Sequence, residues 1–224
     1  MRIQPEADLE VPAGAPYARD IRLLQQDAIL VKAGLADEVH LTNAQSANYD
    51  TKLVIPTGFG QRFVVNRGWV SVDAVVNQRA FRFVNTHLEA FDPFIRLQQA
   101  RELIAADGAI GSATGPVILV GDLNTGPDLP VDDNELAFRA LVAYGLIDTW
   151  ELTHPGDPGY TSGFNELLTD PSPEGALEHR VDHVMTTPGV GVLASRIYGI
   201  DRDNRTPSGL WPSDHAGVAA TLAP

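Results

Sequence analysis

Apolar and polar positions along the chain predict short strands joined by turns, with two helical stretches among them. Residues 1–27 are polar and broken by Pro5, Pro12, Gly14 and Pro16, which predicts an irregular segment ahead of one domain spanning 28–224. The first apolar run, Ala28-Ile29-Leu30-Val31, predicts a strand entered from Asp27 and ended near Gly34. Residues 35–50 are polar and asparagine-rich, a loop or a poorly packed sheet edge. Lys52-Leu53-Val54-Ile55 and Arg62-Phe63-Val64-Val65 flank Pro56-Thr57-Gly58-Phe59-Gly60 and predict a hairpin. A second hairpin runs from Trp69–Val76 through Asn77-Gln78 into Ala80–His87. In its returning strand Phe81 and Phe83 share one face, Arg82 and Val84 the other, and Thr86 and His87 fall at the end.

Asp92 as cap, Pro93 at the first helical position and Gly108 as stop predict a helix over 93–107, with Leu97, Ala100, Leu103 and Ile104 as its apolar stripe. The run Val117-Ile118-Leu119-Val120 then predicts a buried strand over 116–121, ending in Gly121-Asp122-Leu123-Asn124. Strand, helix and strand in this order form a crossover between parallel strands, and chemistry in such sheets gathers at the strands' carboxyl ends, where His87 and Asp122 both fall. If the backbone stays extended, Asn124 projects to the same side as Asp122. A second helix is predicted over 134–144, with Leu136, Ala137, Ala140 and Leu141 inward and Gly145 closing it. Residues 151–178 form a long loop rich in Pro, Gly and Asp. Strands follow over 179–185, 197–200 and 217–222, the last preceded by Pro212-Ser213-Asp214-His215.

A chain of 224 residues can bury one sizeable core. It contains no cysteine, which excludes disulfides, thiolate metal sites and cysteine nucleophiles. Any metal must be held by oxygen or imidazole, which favours hard cations such as magnesium, manganese or calcium. With 16 basic and 29 acidic side chains the net charge is −13, a field that repels polyanions at long range. No apolar run approaches the roughly 18 residues that span a bilayer. The start has no signal-peptide pattern, so the chain as written reads as cytoplasmic, with secretion open should a front end be missing.

Four polar clusters each adjoin a predicted strand: Asn85-Thr86-His87, Gly121-Asp122-Leu123-Asn124, Arg180-Val181-Asp182-His183 and Ser213-Asp214-His215. In this order the chain, from about residue 28 to its end, resembles the endonuclease/exonuclease/phosphatase superfamily, which includes pancreatic deoxyribonuclease. The resemblance implies an α/β (α+β) fold: a two-sheet β-sandwich flanked by helices in four α/β/β/α layers. It implies hydrolysis of a phosphoester, whether nucleic acid, phospholipid or small phosphate ester, with Mg2+ or Mn2+ as cofactor. By the same resemblance Asp122 would orient or deprotonate the attacking water and Asn124 would hydrogen-bond the phosphate. His215 would be a charged imidazole beside a phosphoryl oxygen, with Asp182 accepting its other N–H. Asp214 would bind the cation directly or through water, and His87 would contact the phosphate or the leaving oxygen.

Other readings of these residues stay open. Asp182 could instead pair with Arg180. His183, on the opposite face from Asp182, reads as packing, and Glu89 as a solvated loop acid. Trp69 and Trp150 read as core, and Trp211 as either core or a rim residue. The family pattern also carries an asparagine closing its first strand and a Gln-Glu pair closing its second, whose glutamate is the main cation ligand. No glutamate here follows a glutamine, and Glu6 and Glu10 lie among prolines. The chain therefore reads as an N-terminally incomplete hydrolase, truncated and with weakened metal binding. The alternative is a degenerate, non-catalytic module that binds a partner or phosphorylated ligand.

Overall fold

A computed structural model describes residues 25–35, 38–56, 62–130 and 135–224. Most of the predicted N-terminal irregular segment, with Glu6 and Glu10, lies outside the described residues, as do Thr57-Gly58-Phe59-Gly60, loop residues 131–133 and Asn134.

In chain order the elements are β1 (Val39–Asn48), β2 (Leu53–Pro56), β3 (Arg62–Val65), β4 (Gly68–Val76), β5 (Arg79–Thr86), α1 (Pro93–Ile104) and β6 (Val117–Asp122). Then follow α2 (Leu136–Tyr144), β7 (Ile147–Asp148), α3 (Thr149–Thr153), β8 (Asp182–Thr186), β9 (Gly191–Tyr198) and β10 (Gly217–Ala223). A six-stranded sheet has the order β1-β4-β5-β6-β8-β7, and β9 with β10 and β2 with β3 form two-stranded sheets. Within the large sheet β5 and β6 are parallel and every other pair is antiparallel. That parallel pair is the predicted crossover, with α1 as its connection.

Alternation within the strands divides two cores. Val84, Leu119 and Met185 face α1 and α2, where Ala100, Leu103, Ala137 and Leu141 close over them. Ile118, Val120, Val184, Phe81 and Phe83 face the other way, against Val218 and Leu222 of β10. Helices, the large sheet and the small sheet thus lie in layers, with the short α3 packed against β9. The α/β, two-sheet expectation holds.

Several local expectations do not. Ala28–Val31 forms no strand; it crosses an apolar face of the large sheet, where Val72, Phe81 and Phe83 help line a groove of about 410 Å³, and Asn85 Nδ2 ties it by donating to Ala28 O at 3.0 Å. Residues 39–48 take the sheet-edge option as a ten-residue strand, their polar side chains tolerated because most of them face solvent. β9 begins at Gly191, well before the predicted 197, and β8 begins at Asp182. α1 ends at Ile104 and buries Arg96 and Gln99 beside Ala100 and Leu103, so its inward face is not the purely apolar stripe that spacing predicts. α2 buries Ala137, Phe138 and Leu141, whereas Leu136 is exposed.

Candidate active site

The backbone ladder brings the central carboxylates together. β6 runs out at Asp122 just where antiparallel β8 begins at Asp182, so the two residues are register partners. The end of β5 lies alongside, because Gly121 at φ +142° lets the strands close up: a Cβ there would stand 1.8 Å from Thr86 O. That approach places His87 over Asp122, with Nε2 3.2 Å from Oδ2.

Past Asp122 the chain does not stay extended. Asn124 takes φ +49°, its backbone N–H donating to Asp122 Oδ1 at 2.9 Å and its Nδ2 to Leu88 O at 3.0 Å. Asn124 therefore braces the turn that follows His87, and one amide hydrogen stays available to a ligand.

His215 arrives from the loop before β10. Its Nδ1 donates to Asp182 Oδ2 at 2.8 Å, and Nε2 lies 3.2 Å from Ser162 Oγ. Asp182 pairs here with His215 and not with Arg180, whose Nη1 donates to Asp148 in the buried layer below. Potential ligand atoms of Asp122, Asp182 and His215 all lie within 4.8 Å of one another. Asp214 stands outside that trio, exposed, with Oδ1 accepting from Ser213 Oγ at 3.3 Å.

Electrostatics follow from these contacts. The hydrogen bond and charge of Asp182, with the charges of Asp122 and Asp214, raise the His215 pKa from 6.5 to about 9 against the opposing effect of burial. Burial pushes the Asp122 carboxyl up, yet the bond and charge from His87, the Asn124 N–H and the His215 charge together hold it below the ordinary carboxylate value. At neutral pH the site thus presents ionised Asp122 opposite a cationic His215.

Several contributors were not singled out in the sequence. Asp27 sits at the edge of the site, burial raising its pKa to about 6 against the charges of His87 and Arg67. Glu89, expected in solvent, has no exposed surface: Arg96 donates from Nε to its backbone O at 2.6 Å, Gln99 Oε1 accepts its N–H at 2.8 Å, and Arg67 Nε lies 3.9 Å from its Oε2. This clamp from α1 fixes the turn that carries His87. Thr161, fully buried, accepts from the N–H groups of Val181 and Asp182 at 3.2 Å each and so sets the start of β8. Trp211 is buried against Phe164, a core residue and not a rim. His183 is structural as expected, with Nε2 donating to Thr125 O at 2.9 Å.

The donor set suits a hydrated hard cation. Such an ion keeps several waters and needs one or two carboxylates plus substrate oxygens; Asp122 and Asp182 supply two carboxylates side by side, whereas His215, once charged, has no lone pair to offer.

Two imidazole–carboxylate pairs thus face each other across the ends of central strands in a layered α/β protein. The chain belongs to the Endonuclease/Exonuclease/phosphatase family, whose model matches residues 16–215. Solved structures of similar fold include Danio rerio TDP2 complexed with a single-strand DNA product (20% identity, TM-score 0.58), which covers 84% of this chain and 70% of its own. A family protein from Bacteroides vulgatus (20%, 0.58) covers 84% and 67%, and the Bacteroides thetaiotaomicron mannosyl-6-phosphatase (19%, 0.55) covers 84% and 68%. Among curated proteins none matches the sequence.

Proposed function

We propose that this protein is a divalent-metal-dependent phosphoester hydrolase. The observation that carries the reading is the opposition of His87–Asp122 to Asp182–His215 across the ends of β5, β6 and β8. Phosphoryl transfer needs an oriented water, an in-line approach and positive charge on the phosphoryl oxygens. Asp122, ionised and facing the open side, orients and deprotonates the water. His215 holds its Nε2–H toward a phosphoryl oxygen while Asp182, accepting from Nδ1, fixes the ring's orientation and favours its charge. Asn124 donates its remaining amide hydrogen to the phosphate, and His87 attends the leaving oxygen. Asp122 and Asp182 would hold the cation, with Asp214 as a further candidate ligand, and a bound cation would supply charge neutralisation on the phosphoryl group.

The substrate we favour is a small or lipid phosphoester, because a net charge of −13 works against a polyanionic backbone. Purified protein assayed on bis(p-nitrophenyl) phosphate and p-nitrophenyl phosphate tests the proposal. Turnover should appear with magnesium, rise over a roughly millimolar range given only two close-set carboxylates, and vanish with EDTA. Turnover unchanged by EDTA would sink the metal-dependent reading. Phosphate binding without turnover under any cation would favour the non-catalytic module instead.

A further inference from the structure

We propose that Ser162 is a phosphoryl-contact residue: its hydroxyl stands beside the His215 imidazole at the substrate phosphate and donates its hydrogen to a phosphoryl oxygen. The inference rests on the phosphoester reading above.

His215 has two ring nitrogens, and Asp182 takes Nδ1. Any ligand of the imidazole must come to Nε2, and Ser162 Oγ already lies 3.2 Å from that atom. A phosphate placed there meets the hydroxyl as well. The backbone around Ser162 is pinned from both sides. Its N–H donates to His179 O at 2.9 Å, and its carbonyl accepts from Glu178 N at 2.9 Å. Residue 162 also bridges both His179 and His215, and the neighbouring Thr161 carbonyl accepts from Ala216 N at 2.7 Å. With the Cα fixed this firmly, the main freedom left is rotation about χ1, and the residue is half-buried, so the oxygen is reachable.

A hydroxyl has one hydrogen to give and lone pairs to receive with. Asp182 Oδ2 accepts from Nδ1, so a phosphoryl oxygen bound at Nε2 takes that nitrogen's hydrogen and leaves the neighbouring hydroxyl to turn its own toward the phosphate. Among the described residues the ring nitrogen is the one side-chain partner given for this hydroxyl, and a phosphoryl oxygen bound at Nε2–H would accept the hydroxyl's hydrogen in its place. The order Ser162, His215, Asp182 is also that of a serine-nucleophile triad, where the imidazole must begin neutral in order to take the serine proton. With its Nε2–H given to the phosphate the ring cannot take the serine proton, and a covalent phosphoseryl species is not expected.

The 224-residue chain titrated with inorganic phosphate, followed by calorimetry and by the His215 ring signals in NMR, tests the contact. Ser162→Ala should weaken phosphate binding roughly tenfold, Ser162→Thr should keep it within about twofold, and the Asp182-bonded Nδ1–H of His215 should persist in both. Equal or tighter binding by Ser162→Ala overturns the Ser162 contact alone, with the phosphoester reading standing. No phosphate binding by the unsubstituted protein overturns both. A phosphate group trapped covalently on Ser162 after incubation with a phosphoester, seen by mass spectrometry, overturns the contact in favour of a nucleophile.

Discussion

At the scale of single residues, the two carboxylates at the heart of the candidate site are placed by the backbone. Asp122 and Asp182 are paired by ladder register, so replacing one carboxylate by its amide keeps the shape and removes the charge. Asp122→Asn and His215→Gln should each lower kcat by about 10²–10⁴-fold without moving the unfolding transition greatly. Equal kcat in either variant, measured with saturating magnesium, would remove that residue from the chemistry. The positions of His87 and Asp122 followed from the ends of predicted strands and that of His215 from the start of one, whereas Asp182 fell inside the predicted strand 179–185 and stands instead at the start of β8. Ser162, Thr161 and Asp27 were not legible, because they lie in segments where no period tells inward from outward. Glu89 was misjudged for a related reason: a charge in a short turn reads as solvated unless the two arginines that meet it, from β4's approach and from α1, are known to converge.

Among the elements, the crossover β5–α1–β6 builds the site's floor, and Gly121 is its tightest point. Gly121→Ala must accommodate both φ +142° and a methyl 1.8 Å from Thr86 O. The β5 and β6 ends should part, with a loss of about 2 kcal/mol or more and a fall in any activity that depends on His87; urea unfolding and turnover measured on the same sample check this. A stable, fully active variant would show that the close approach is dispensable. The alternation Phe81/Phe83 against Arg82/Val84 foretold both faces of β5. β1 escaped a definite assignment because an edge strand facing solvent needs little apolar residue content, and α1 hides its inward face because Arg96 and Gln99 are buried by hydrogen bonding and not by hydrophobicity.

For the molecule as a whole, stability toward acid should turn on a centre below the active site. Arg180 and Asp148 are buried together, with His183 Nδ1 3.3 Å from Asp148 Oδ2. Burial pushes the Asp148 carboxyl up, but His183 and Arg180 more than offset this and lower its pKa to about 2. A depressed carboxylate contributes stability that is complete above its unfolded value near 3.8 and is lost as pH falls through its folded value near 2. Asp148→Asn should cost about 3–5 kcal/mol at neutral pH and flatten the stability profile between pH 4 and 2 (roughly the window those two values set). An unchanged acid limb in the variant would assign acid unfolding elsewhere. Among the described residues no helix is long and apolar enough to cross a membrane.

The pairing of β6 with β8 has one more consequence. His87 and Asp122 belong to the chain's earlier half of the site, Asp182 and His215 to its later half, and each histidine finds its carboxylate within its own half. The two dyads are brought together by the strip of sheet where Asp122 faces Asp182. The first lies within the crossover unit, the second joins the large sheet to the loop before β10, and the candidate site is a property of their seam. Sliding that seam by one residue would keep both dyads intact and still dismantle the site.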